Sequence, residues 1–288
     1  MTTFKGDFTF NLQRALTAYY DPMYVNAYPT TNEPIEQWIP LMPIKNPRVL
    51  TVAASGDQPL LHAATGASHI DTFDLTINAC AIMDFKTAAL QQLNHSEYLE
   101  TIHLLKHLDG MNSFIFYNKD VSDFIKNSFI QIVNNMPDRT QELMYHLIYQ
   151  RPDAMQRDSD FTRTFPTNPE LYNKIQQTTK KPFNFIWADL MNVSNYIEDK
   201  YDIINTSNIF EHYMYDRHHT KADIYITIKK LWPHLNPGGY LLCTAAAPKT
   251  ILYYQGLEEV LFDMNGDISF PSVPKDNAFY PILIQKTR

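Results

Sequence analysis

At 288 residues, 44% of them hydrophobic, the chain can bury a large core, as one generous α/β domain or as a domain with a long insertion. A net charge of −7 without any lysine- or arginine-rich run argues against a nucleic-acid-binding face. Two distant cysteines, Cys80 and Cys243, exclude a disulfide framework and a metal-spaced thiol pair. No signal-peptide core follows Met1 and no apolar run is long enough to span a bilayer, so a soluble, cytoplasmic chain is expected.

Residues 1–47 read as a helical N-terminal extension. Phe10 to Leu16 has helical spacing, Tyr19-Tyr20-Asp21-Pro22 breaks it, and Asn32 to Ile39 is a second short helix. The extension would serve as a lid over one sheet face or as the closure of a ligand pocket. Arg48 to Val52 is a short β-branched run, as expected of a strand buried on both faces. Small residues follow, Ala53 to Gly56, and then a helical run from Leu60 to Thr65 with Asp57 or Gln58 as its cap and Gly66 as its stop. A second strand, Ser68 to Phe73, ends on Asp74. Strand, small-residue loop, helix, strand and acid make up a nucleotide-binding βαβ unit.

Leu75 to Leu93 is apolar at helical spacing, a second crossover helix. The next convincing strand begins only at Phe183, far beyond the usual connection length. The interval is helical in pattern (98–108, 121–134, 139–149 and 169–178), with a polar stretch at 151–164. It reads as an inserted helical subdomain, 94–182, of the kind that carries substrate recognition on a reused scaffold. Strands then recur at Phe183 to Trp187, Tyr201 to Asn205 and Tyr240 to Thr244. A helix from Lys221 to Leu235 and a turn at Asn236-Pro237-Gly238-Gly239 precede the last of these. A helix near Thr250 to Phe262 and two strands, Asp267 to Ser272 and Phe279 to Gln285, complete the chain. The nucleotide-binding domain is therefore expected over 48–93 and 183–288.

Polar residues stand just past four strand ends: Ser55-Gly56-Asp57, Asp74, Asp189, and Asn205 to Asn208. That is the mark of a site at the carboxyl edge of a parallel sheet. Free N–H groups at a helix start favour an anionic ligand group near Gly56, and Asp74, 18 residues on, is placed to accept both ribose hydroxyls. A dinucleotide site usually carries three glycines in this loop. With one, the loop suits S-adenosylmethionine, which has no phosphate. Plainer readings stand beside these: a merely small loop, Asp189 as a helix cap, and Asn205 and Ser207 pairing backbone in a turn. His103 and His107 have i, i+4 spacing but no accompanying carboxylate motif, His218-His219 gives no third ligand, and no metal is expected.

These strand ends, together with Leu231 to Leu242, resemble the class I S-adenosylmethionine-dependent methyltransferase superfamily. The resemblance implies an α/β, Rossmann-like, mostly parallel sheet whose final strand is antiparallel and inserted near the edge. Val49 to Asp57, Phe73-Asp74-Leu75 and Asp202 to Glu211 are more narrowly similar to the S-adenosylmethionine:diacylglycerol 3-amino-3-carboxypropyltransferase family of betaine-lipid synthesis. Tyr20-Asp21-Pro22 and the long insertion are similar too. The likeness implies that Ala54, Ser55, Gly56, Asp57 and Gln58 border the methionine portion of S-adenosylmethionine. Asp74 and Leu75 would hold the ribose, Asp189 and Leu190 the adenine, and Asn205, Ser207 and Asn208 the sulfonium and acceptor. Glu211, His212 and Tyr213 are the candidate catalytic residues, with Tyr215, Tyr19 and Tyr20 behind them. The expected activity is 3-amino-3-carboxypropyl transfer to a hydroxyl or amine of a small-molecule or lipid acceptor. Methyl transfer on the same fold is the alternative, and cofactor binding without turnover the third reading. The sequence leaves the oligomeric state open.

Overall fold

The computed structural model describes residues 4–6, 28–31, 33–107, 123–149, 165–216, 220–246, 251, 254–272 and 279–288. The expected helix from Phe10 to Leu16, Tyr19, Tyr20, the polar stretch 151–164 and His218-His219 lie outside them. In chain order the strands are β1 (Phe4–Gly6), β2 (Arg48–Val52), β3 (His69–Asp74), β4 (Asn184–Trp187), β5 (Tyr201–Ser207), β6 (Leu235–Ala245), β7 (Gly266–Ser269) and β8 (Tyr280–Lys286). The helices are α1 (Ile35–Trp38), α2 (Asp57–Ala64), α3 (Ile77–Gln92), α4 (His95–His107), α5 (Asp123–Asn134), α6 (Asp138–Tyr149), α7 (Pro169–Thr178), α8 (Ile209–Asp216), α9 (Lys221–Leu231) and α10 (Glu258–Asp263).

Contacts divide the chain into two compact units. One comprises Met1–Asn32, Ala53–Ala64 and Asp74–Trp187, the other Glu33–Val52, Thr65–Phe73 and Ala188–Arg288. The helices of the expected insertion fall in the first unit together with both crossover helices, α2 and α3.

The second unit carries the strand order β3-β2-β5-β6-β8-β7. β2 pairs in parallel with β3 and β5, β5 pairs in parallel with β6, and β8 runs antiparallel to both β6 and β7. The last strand in sequence is thus inserted, antiparallel, beside the one before it. This is the Rossmann-like sheet of the class I methyltransferase fold. Val49, Leu50 and Ile204 are wholly buried, as the apolar positions of parallel strands covered on both faces are.

Two expectations change here. α9 stops at Leu231, because Pro233 sits in the 3₁₀ turn Trp232–His234 that follows it. The expected turn at Asn236–Gly239 is instead an irregularity inside β6: Tyr201 pairs with Leu235 but Ile203 with Tyr240, so the intervening residues bulge. Glycine is required there, since Gly238 has φ +81 and a Cβ on Gly239 would lie 2.8 Å from the Asp202 carbonyl oxygen.

In the first unit β1 pairs in parallel with β4, a strand the sequence did not announce. α5 and α6 pack on α3, and α7 packs on α2. Every residue of α3 from Ile77 to Leu90 is buried, so this helix has no solvent face. The two charges within it are therefore paired. Asp84 accepts from Arg139 Nε and Nη2, both at 3.1 Å, and from Thr140 Oγ1 at 2.9 Å, while Lys86 pairs with Asp57. Burial raises the Asp84 carboxyl, and Arg139 opposes that.

Candidate active site

The loop that leaves β2 turns tightly, with Gly56 N–H donating to Ala53 O at 2.7 Å and with positive φ at Ala54 (+44) and Gly56 (+82). Asp74, at the end of β3, takes hold of this loop directly. Its Oδ2 accepts the Ala54 N–H at 2.9 Å, and its Oδ1 accepts the Thr76 N–H at 3.0 Å. Acid and glycine loop therefore stand together. These two bonds orient the Asp74 carboxylate. Asp74 and Ala54 are both partly exposed.

The remaining loop residues face inward. Ser55, Asp57 and Gln58 are 0–1% exposed. Asp57 accepts from Ser55 Oγ at 3.0 Å, Thr30 Oγ1 at 3.1 Å and Thr31 N–H at 2.7 Å, and it pairs with Lys86 Nζ. Its carboxylate anchors the start of α2 and the segment 30–31. Gly56 is small for a local reason: a Cβ there would come within 3.0 Å of Met83 Cα on α3. The Leu75 carbonyl accepts the Trp187 indole N–H at 2.9 Å. Burial pushes His62, on α2, down to about 3, which keeps it neutral near pH 7.

In the second unit, β5 ends in a turn with Ser207 at φ +53. The Asn205 side chain accepts the Ser207 N–H at 3.1 Å, and Asn208 Nδ2 donates to His212 Nε2 at 3.2 Å. Asp189 receives the Met191 N–H at 3.0 Å and the Tyr213 hydroxyl, so it caps its own turn and fixes Tyr213. Leu190 is a core residue, 2% exposed. The three candidate catalytic residues separate clearly. Tyr213 is buried against Asp189, Glu211 is buried with Oε2 accepting the Ala246 N–H at 2.6 Å, and His212 is exposed.

Glu33 joins this group unannounced by the sequence. It is 2% exposed, with Oε2 accepting Ser207 Oγ–H at 2.6 Å and Oε1 accepting the Thr244 hydroxyl. The extension thus brings a buried carboxylate to the last residue of β5 and the next-to-last residue of β6. Desolvation raises its carboxyl above the ordinary value, the two hydroxyls and His212 pull it down, and Glu211 adds to the rise. Both cysteine thiols are buried and pushed up, Cys243 to about 12, so neither is a nucleophile near neutral pH. Among the described residues no three His, Cys, Asp or Glu side chains group as metal ligands, and no helix is long and apolar enough to cross a membrane.

The sheet has the Rossmann-like strand order of the class I methyltransferase fold. No family model and no curated protein matches the chain. Solved structures to which it is similar include an rRNA methylase of Streptococcus thermophilus (TM-score 0.43, 9% identity, 90% of this chain and 99% of that one). Another is the N-methyltransferase NodS of Bradyrhizobium japonicum in complex with S-adenosyl-L-homocysteine (TM-score 0.40, 11% identity, 96% and 95%). A third is a ribosomal protein L11 methylase of Lactobacillus delbrueckii (TM-score 0.39, 10% identity, 87% and 75%). The fold assignment rests on the strand order, not on these scores.

Lys86 and Glu33 are the two residues that the sequence reading left out. Lys86 carried a signal: a charge inside an otherwise apolar helix must be paired if that helix is buried. Glu33 carried none beyond its place at a helix start.

Proposed function

We propose that this chain is an S-adenosylmethionine-dependent transferase and that the group it moves is methyl. The observation that supports this most is the bond from Ala54 N–H to Asp74, which joins the loop after β2 to the acid ending β3 within a sheet of methyltransferase order. In this reading the loop from Ala54 to Gln58 faces the amino-acid tail through its backbone, since Ser55, Asp57 and Gln58 keep their side chains inside. Asp74 and Leu75 hold the ribose, and Asp189 and Leu190 border the adenine. Asn205, Ser207 and Asn208 face the sulfonium and the acceptor. His212, the exposed member of the candidate catalytic group, takes the acceptor's proton, while Glu211 and Tyr213 fix the backbone and Asp189 around it. Methyl transfer is a displacement at carbon, so aligning the nucleophile and excluding water carry most of the catalysis. The acceptor is a small molecule or a lipid.

Aminocarboxypropyl transfer is the second reading, favoured by the motif from Val49 to Asp57 and by the turn from Asn205 to Asn208. Both reactions use one cofactor and part at the product, S-adenosylhomocysteine for methyl and methylthioadenosine for aminocarboxypropyl. Calorimetry with S-adenosylmethionine and with NAD tests the shared reading, and Asp74→Asn is expected to weaken S-adenosylmethionine binding about tenfold or more. Binding of NAD alone, or of neither ligand, refutes it. Identifying the adenosyl product after incubation with amine, alcohol and lipid acceptors decides which group moves.

A further inference from the structure

The loop after β2 asks more of its backbone than its sequence supplies. It carries positive φ at Ala54 (+44) as well as at Gly56 (+82), and alanine holds such a conformation only where its surroundings impose it. Two restraints come from the strand-and-helix unit itself. Asp74 accepts the Ala54 N–H at 2.9 Å, and α3 closes on Gly56 so tightly that a Cβ there would stand 3.0 Å from Met83 Cα. The third restraint comes from outside that unit. Asp57 sits at 0% exposure where the loop passes into α2, and Thr30 Oγ1 and Thr31 N–H, from the N-terminal extension, donate to its Oδ2 at 3.1 and 2.7 Å. Ser55 Oγ, within the loop, donates to the same oxygen at 3.0 Å, and Lys86 Nζ of α3 pairs with Oδ1. Three donors on one oxygen thus tie the extension to the loop. Thr30 is itself 0% exposed, and all these residues belong to the first compact unit.

We propose that Thr30 and Thr31 are positioning residues for the cofactor's amino-acid tail: through Asp57 they hold the backbone from Ala54 to Gln58 in the conformation that receives it. The proposal rests on the preceding reading, in which that loop faces the tail. It gives the extension a role at the cofactor rather than at the acceptor. Neither threonine needs to touch the ligand. What they supply is order: a loop already held in its bound conformation loses less conformational freedom when the tail arrives. The dependence on Thr30 should therefore follow the tail. S-adenosylmethionine and S-adenosylhomocysteine both carry it, and 5′-methylthioadenosine has the same nucleoside and sulfur without it.

The test is titration calorimetry of the full chain with these three nucleosides. Thr30→Val keeps the shape of the side chain and removes its donor. It should weaken S-adenosylmethionine and S-adenosylhomocysteine about fivefold each and leave 5′-methylthioadenosine within about twofold of the wild type. Thr30→Ser, which restores a hydroxyl, should bring both affinities back. Equal weakening of all three ligands, the mark of a merely structural role, overturns the proposal, and so does no weakening of any. If Thr30→Val does not fold, Thr30→Ala takes its place with the same expectations. If the wild type binds 5′-methylthioadenosine too weakly to measure, hydrogen exchange at the Ala54 and Gly56 amides of the ligand-free protein decides: faster exchange in the variant supports the proposal and an unchanged rate overturns it. Failure of the wild type to bind any of the three is a different result and refutes the cofactor reading itself.

Discussion

Asp57 and Glu33 are both carboxylates buried next to strand ends, Asp57 at the helix start that follows β2 and Glu33 at the ends of β5 and β6. Asp57 meets a full cation: Lys86 Nζ sits on it with both side chains 0% exposed, and two hydroxyls and a backbone N–H complete its shell. Glu33 meets the hydroxyls of Ser207 and Thr244, with the charges of His212 and Glu211 acting on it in opposite senses. The first arrangement ties a loop to a helix through a full ion pair. The second leaves a proton equilibrium in play.

Breaking the locked pair should give the largest effect. Lys86→Met leaves Asp57 buried without its cation, and a loss of about 3–5 kcal/mol is expected in urea denaturation. The double variant Asp57→Asn, Lys86→Met should recover most of that loss. A single-variant loss under about 1 kcal/mol would show that the pair does not pin the loop. Gly56→Ala comes next. Its φ of +82 and the 3.0 Å approach to Met83 Cα predict a destabilisation of about 1–3 kcal/mol, read as a lowered thermal midpoint.

Glu33 sharpens the contrast through pH. Its folded-state pKa lies above the unfolded value, so the native state holds more protons in that window and stability falls as pH rises through it. Glu33→Gln removes this slope. The variant should gain on the wild type as pH rises from below the ordinary glutamate value of 4.5 to above the raised one, and parallel stability curves would contradict it. The smallest effect belongs to the surface. Arg48 and Asp199 pair at 2.7 Å with side chains 39% and 62% exposed, and Arg48→Ala should cost about 0.5 kcal/mol or less, vanishing in high salt.

What the sequence made legible follows the same division. β2 was readable because a strand buried on both faces is β-branched and apolar, β3 and β5 through the apolar residues they carry between turn signals, and the position of Asp74 because it closes β3. The fold's antiparallel last strand followed from resemblance alone. The Asn236–Gly239 stretch was misread because paired glycines signal a turn equally well whether it ends a strand or bulges within one. β1 was missed because three residues carry no periodicity. Lys86 was hidden by helical spacing, which places a residue on a face but does not say that all faces are covered. Glu33 was hidden because its partners are 174 and 211 positions away, and no local pattern encodes that.

The short strand β1 has a bearing on the open edge of β4. Phe4–Gly6 occupies the outermost place in the strand order and pairs with Phe185–Trp187. Deleting the first six residues would bare the amides and carbonyls of β4, and such a rim recruits strands from other molecules. Phe4–Gly6 thus covers a row of backbone groups that would otherwise stand open beside Phe185–Trp187.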